Sequence, residues 1–167
     1  MASAAQFYPA ITAASDATGL DWWLLYSVIE HGSGFDPDAE PEHGALGLMQ
    51  LAPSDFPEWS PLDLLEPGVN VRLGTERLSQ CISVWGLERH DEAVKLGLAS
   101  YKTAPAFVLA AQYATQQRGY DPYRWDMVEP FLETDGDGVR DYVSAIWRRY
   151  AARRGAPLPL ARMGAAA

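Results

Sequence analysis

Apolar residues recur along this chain at three- and four-residue steps, the spacing that lines one face of an α-helix. Pro9 suits the first turn of a helix and Gly19 can adopt the positive φ that closes one, so a first helix is expected between them. Asp21 is placed to cap the next segment, "WWLLYSVIEH", which Gly32 and Gly34 terminate. From Asp36 to Pro61 the chain is rich in Pro, Gly, Asp and Ser and reads as structured loop. The apolar stretch "GALGLMQLAP" interrupts that loop and should dip into the core. A second strong helix is expected from Leu65 to Gly86, with Val71, Leu78, Ile82 and Trp85 on one stripe. Asp91 can cap a helix running to about Tyr101, and Ala106 to Gln117 reads as another. Gly138 to Arg154 closes the pattern, with Val139, Tyr142, Val143, Ile146, Trp147 and Tyr150 at helical spacings. No alternating strand run of any length and no internal repeat is visible. The expected fold class is all-α, one domain over residues 1–154, with a flexible tail at 155–167.

Composition narrows the function. The 167 residues are 48% hydrophobic and include six Trp and eight Tyr, which fits a folded globule with a sizeable core. A net charge of −9 argues against nucleic acid as a partner, because that affinity rests on Lys and Arg. Cys81, the only cysteine, rules out an intramolecular disulfide and a four-cysteine zinc site, and its apolar surroundings place it in the core. The N-terminal stretch lacks the basic and apolar regions of a secretory signal, and no run reaches the length of a membrane span. The expectation is a product made in the cytoplasm that reaches any extracellular target by another route.

Candidate chemistry gathers between Leu24 and Pro53. An apolar helix leads into Ser33-Gly34-Phe35, then Asp36-Pro37-Asp38-Ala39, then Gly44-Ala45-Leu46-Gly47-Leu48-Met49-Gln50-Leu51-Ala52-Pro53, without gaps. Further on come "PGVNVRLGTERL", with Asn70 and Gly74 four apart, then "LASYKTAP" and "VRDYV". This ordered set resembles the lytic transglycosylase domain family, whose goose-lysozyme-like helical domain cleaves peptidoglycan glycans. The resemblance spans about Phe7 to Tyr150. It implies a single all-α, lysozyme-like domain, peptidoglycan strands as partner and no cofactor. It also implies that Ser33, Met49, Gln50 and Tyr101 line the glycan cleft.

Two departures fall on the chemistry that the resemblance implies. The family's one essential Glu precedes the Ser of Ser-x-Phe, and that position is Gly32; the Asn after the family's Tyr is Lys102. The missing Glu would protonate the leaving oxygen of a β-1,4 bond, with burial holding it protonated. It would then take the proton of the muramic acid 6-hydroxyl, giving a 1,6-anhydro sugar. Glu30 is the candidate substitute, although two helical steps of 100° place it about 200° away on the helix. Its bland reading is an exposed carboxylate at a helix end. His31, Asp36, Asp38 and Glu42 are lesser candidates nearby. Lys102 adds a cation beside the expected subsite, whereas the acidic chain as a whole gives no help in adhering to an anionic wall. "ETDGDGVRD" resembles a calcium loop through Asp135, Asp137 and Asp141, but Ser144 stands where the closing Glu would be, so no metal is expected.

Two readings stay open. One is an active lytic transglycosylase cleaving MurNAc-GlcNAc bonds to 1,6-anhydro products, with Glu30 as displaced acid and base. The other, which the paired departures favour, is a catalytically impaired relative that recognises glycan strands. By analogy of fold, such a pseudoenzyme suits a bacteriophage virion, a lysis component or a secretion assembly.

Overall fold

The computed structural model describes residues 3–39, 44–86, 90–132 and 138–159. Eight α-helices order these residues: α1 (Tyr8–Thr18), α2 (Trp22–Gly32), α3 (Pro61–Leu65), α4 (Pro67–Ser83), α5 (His90–Lys102), α6 (Pro105–Gln117), α7 (Trp125–Val128) and α8 (Val139–Arg153). The one extended pairing among the described residues is an isolated antiparallel bridge between Leu46 and Leu51. The chain divides into two compact units, Met1–Glu76 with Arg149–Ala167, and Arg77–Arg148. The expected tail begins at the end of α8, and its residues 160–167 lie outside the described part of the chain.

In the first unit local signals start and stop the helices. Pro9 sits in the first turn of α1, and Gly19, at φ 74°, closes it with its N–H on the Ser15 carbonyl. The Asp21 side chain accepts from the Trp23 N–H at 2.7 Å and opens α2. Leu24, Leu25, Val28 and Ile29 bury the inner stripe of α2. Beyond Gly32 the chain turns sharply through Gly34 and then Phe35, a bulky residue at φ 64°. Aromatic packing holds Phe35 there: its ring centroid lies 4.8 Å from that of Tyr26 and 6.4 Å from that of Phe7.

The expected dip of "GALGLMQLAP" into the core is a tight loop closed by paired N–H···O bonds between Leu46 and Leu51, at 2.8 and 2.9 Å. Asn70, fully buried in the first turns of α4, holds this loop from beneath. Its amide nitrogen donates to the carbonyls of Leu46 (2.9 Å) and Leu64 (2.7 Å), and its oxygen accepts from the Met49 N–H (2.7 Å). The approach requires glycine at 47, because a Cβ there would lie 2.5 Å from the Asn70 amide nitrogen and φ is 70°.

The helix expected from Leu65 starts instead at Pro67. A residue before proline is driven out of the α region, and Glu66 sits at ψ 121°. Its carboxylate then caps α4, accepting from the N–H groups of Gly68 (3.1 Å) and Val69 (2.6 Å). Leu65 belongs to the short α3, which the periodicity did not suggest and which a Ser60–Asp63 capping box starts. Trp85, expected on the α4 stripe, lies in the turn after the helix and is half-buried.

The second unit packs α5 and α6 with α7 and the body of α8. α5 already includes His90, so Asp91 lies in its first turn rather than capping it. Ala93, Val94, Leu96, Gly97, Leu98, Ala99 and Ser100 are all buried, a run of small and apolar residues that permits close crossing. At Gly97 the crossing with α4 is tightest: a Cβ would stand 2.4 Å from Ile82 Cγ1 and 2.8 Å from its Cα. Glu92 accepts from the Trp125 N–H, and from Lys95 at 2.8 Å, tying α5 to the start of α7. Cys81 is buried, as its surroundings suggested.

Asn70→Ala should lower unfolding stability by about 2–3 kcal/mol, since it leaves the Met49 N–H and the Leu64 carbonyl without their partner and takes one of two bonds from the Leu46 carbonyl. Gly97→Ala should cost about 1–3 kcal/mol through overpacking against Ile82. Urea melts with an unchanged m-value check both, and a loss under 0.5 kcal/mol in either would contradict the packing described.

Candidate functional site

The motif residues of the first unit converge on the last turn of α2. Gly32 is exposed there, and a Cβ on it would meet the Gln50 side chain at Cγ (3.3 Å) and the Leu48 carbonyl (3.9 Å). The Ser33 hydroxyl lies 2.9 Å from the Leu48 carbonyl and 3.2 Å from that of Ile29, with one proton to share between them. Gln50, at φ 56°, donates through Nε2 to the carbonyls of Gly47 (2.8 Å) and Ala39 (3.3 Å). Both N–H bonds of its amide therefore point inward, leaving the amide oxygen as the group it can offer a ligand. Met49 is 1% exposed, and the Thr75 hydroxyl donates to its sulfur at 3.5 Å, so it supports the loop from inside rather than lining a surface.

Glu30 lies on another face of α2 and is not the exposed helix-end carboxylate that its position suggests. Both of its oxygens accept from Arg153, at 2.7 and 3.0 Å, and the Arg149 Nε lies 3.3 Å from one of them. These hydrogen bonds push the Arg153 guanidinium pKa above its ordinary value. The same guanidinium stacks over the Tyr26 ring, 5.1 Å from its centroid. Burial first, and the nearby Glu30 charge second, push the Tyr26 phenol up. One turn further back, the Trp23 indole N–H donates to the Ala156 carbonyl at 3.1 Å. Trp23, Tyr26 and Glu30 thus form a stripe that fastens the end of α8.

The remaining sequence candidates fall elsewhere. His31 is half-buried beside Gly32; Asp36 and Asp38 are exposed, with Asp36 accepting from the Asp38 N–H; Glu42 lies outside the described residues. Tyr101 and Lys102 end α5 in the second unit: Tyr101 is half-buried, and the exposed Lys102 ammonium sits 5.8 Å from the Tyr142 ring centroid. Burial pushes the Tyr142 phenol up. Asp135 and Asp137 lie outside the described residues, while Asp141 is exposed in the first turn of α8, where the helix dipole favours an anion. No three His, Cys, Asp or Glu among the described residues are grouped to hold a metal ion.

Sequence reasoning missed two features of this region. Asn70 stood in a motif but gave no sign of reaching across 24 residues to Leu46. Arg149 and Arg153 stand four apart at the end of α8, but nothing in the sequence links them to residue 30.

Comparison with known proteins accounts for the arrangement. The model of the transglycosylase SLT domain family matches residues 9–123. The membrane-bound lytic murein transglycosylase F of Desulfosudis oleivorans is 31% identical over 128 residues, which cover 76% of this chain and 28% of the relative. The protein of that name from Pasteurella multocida is 29% identical over 107 residues, covering 64% and 22%. Among solved structures, an inactive mutant of the lytic transglycosylase Slt from Pseudomonas aeruginosa superposes with a TM-score of 0.68 at 26% identity, over 90% of this chain and 25% of that one. The chain spans about a quarter of the length of the relatives it matches. No helix among its described residues is long and apolar enough to cross a membrane. The chain belongs to the transglycosylase SLT domain family, and its fold is the all-helical, lysozyme-like fold of the lytic transglycosylases.

Proposed function

We propose that this chain recognises peptidoglycan glycan strands through a lytic transglycosylase site from which the catalytic acid has been lost. The observation that carries the reading is the facing of Gly32 and Gln50. The helix position turned toward the glutamine of the motif loop has no side chain. Cutting a β-1,4 glycosidic bond requires a carboxylic acid that hands a proton to the leaving oxygen. Glycine has none to give. Glu30, the nearest carboxylate on α2, accepts from Arg153 at both oxygens and serves as an anchor for α8. The proposed glycan contacts of the first unit are Ser33 and Gln50, with Met49 supporting the loop; those of the second unit are Tyr101 and Lys102. Family membership supports peptidoglycan as the ligand, since the relatives are named as murein transglycosylases. The proposed setting is a virion or lysis assembly, where a wall-holding domain is carried to its target by other components.

Digestion of purified peptidoglycan, read by mass spectrometry for anhydro-muropeptides, tests the loss of chemistry. The parent chain and Glu30→Gln should release no such product, and Gly32→Glu should release it. Gly32 is exposed and its φ lies outside the left-handed region, so the new side chain needs only a few tenths of an ångström from Gln50. Anhydro products from the parent chain that vanish in Glu30→Gln would overturn the reading in favour of an active enzyme using Glu30. Thermal melts add a separate check: Glu30→Gln should lose about 1–2 kcal/mol, as expected for breaking a half-buried bidentate pair.

A further inference from the structure

The sequence is electrically lopsided: its first 71 residues hold eleven Asp and Glu and no Lys or Arg. Peptidoglycan is itself an anionic polymer, carrying carboxylates on its stem peptides, and on its lactyl groups where those peptides have been removed. An acidic chain that holds such a strand needs a cation where the two meet. Of the thirteen Lys and Arg, five pair with carboxylates among the described residues. Arg72 pairs with Glu76, Lys95 with Glu92, Arg124 with Asp126, and Arg149 and Arg153 with Glu30. Lys102 has no carboxylate partner among the described residues. It is exposed at the last position of α5, directly after Tyr101, with its ammonium resting on the face of the Tyr142 ring. The aromatic face limits where the ammonium can go without consuming its three N–H donors.

We propose that Lys102 docks a carboxylate of the glycan strand, so that this site selects anionic peptidoglycan over neutralised strands. The inference rests on the proposed glycan-binding role and specifies the ligand chemistry for it. An ammonium on a flexible stem serves as a point charge and can meet a carboxylate from a range of directions.

Retention isotherms on insoluble peptidoglycan stripped of phosphate polymers test the proposal. The parent chain, Lys102→Asn and Lys102→Arg are compared on native strands, on strands with their carboxylates amidated, and on strands stripped of stem peptides. Lys102→Asn should weaken binding to native strands by about 2- to 5-fold, the range of a solvent-exposed ion pair. Amidation should weaken the parent chain equally and leave Lys102→Asn unaffected, and Lys102→Arg should bind within about 2-fold of the parent. The deficit should shrink as salt is raised. A Lys102 dependence that persists on stripped strands assigns the lactyl carboxylate; one confined to native strands assigns the stem peptide. If Lys102→Asn shows the parent's ratio of native to amidated binding, the docking role is overturned and glycan binding stands. If the parent chain is not retained on any strand, both fall together.

Discussion

Asn70 is the point on which the first unit turns. One fully buried amide satisfies three backbone groups drawn from two separate segments, the loop at Leu46 and Met49 and the end of α3 at Leu64. A backbone loop inside a core is costly because its polar groups lose water. Here α4 supplies the replacement partners through one side chain. Gly47 is part of the same constraint, for its missing Cβ is what lets the amide approach. The left-handed conformation of Gln50 follows from closing so short a loop, and it turns the side chain toward Gly32.

α2 serves two roles on two faces, and keeping them apart resolves an ambiguity in the sequence. Glu30 and Gly32 are neighbours along the chain but about 200° apart around the helix. Trp23, Tyr26 and Glu30 fasten the end of α8, and Gly32 and Ser33 meet the motif loop. A carboxylate near a motif invites a chemical role. The partners it has are those of a structural tie: two arginines hold Glu30, and Tyr26 stacks against one of them.

Much of the fold was legible because its signals are local. Pro9, Gly19 and Asp21 act within one turn of themselves, and the buried stripe of α8 follows from spacing alone. The break at Glu66 was missed because apolar periodicity runs through it, even though Pro67 carried the steric reason for a stop. α3 and α7 are too short for periodicity to reveal, and each depends on its caps or its neighbours. The candidate site divided in the same way. The order of the motifs found Gly32, Ser33 and Gln50, which the structure brings together. The inward use of both Gln50 donors, the burial of Met49 and the arginine pair on Glu30 depend on residues up to 123 positions away, and no spacing rule spans that distance.

The surroundings of Gly32 carry a consequence for how such a protein can change. The residue sits at the surface in a conformation open to any side chain, and the atom nearest to a new Cβ belongs to a movable glutamine rather than to backbone. Glycine and glutamate codons ending in a purine differ by one base. On the proposed reading, a single nucleotide therefore separates a domain that grips the wall from one that cuts it, and little else in the scaffold has to be rebuilt.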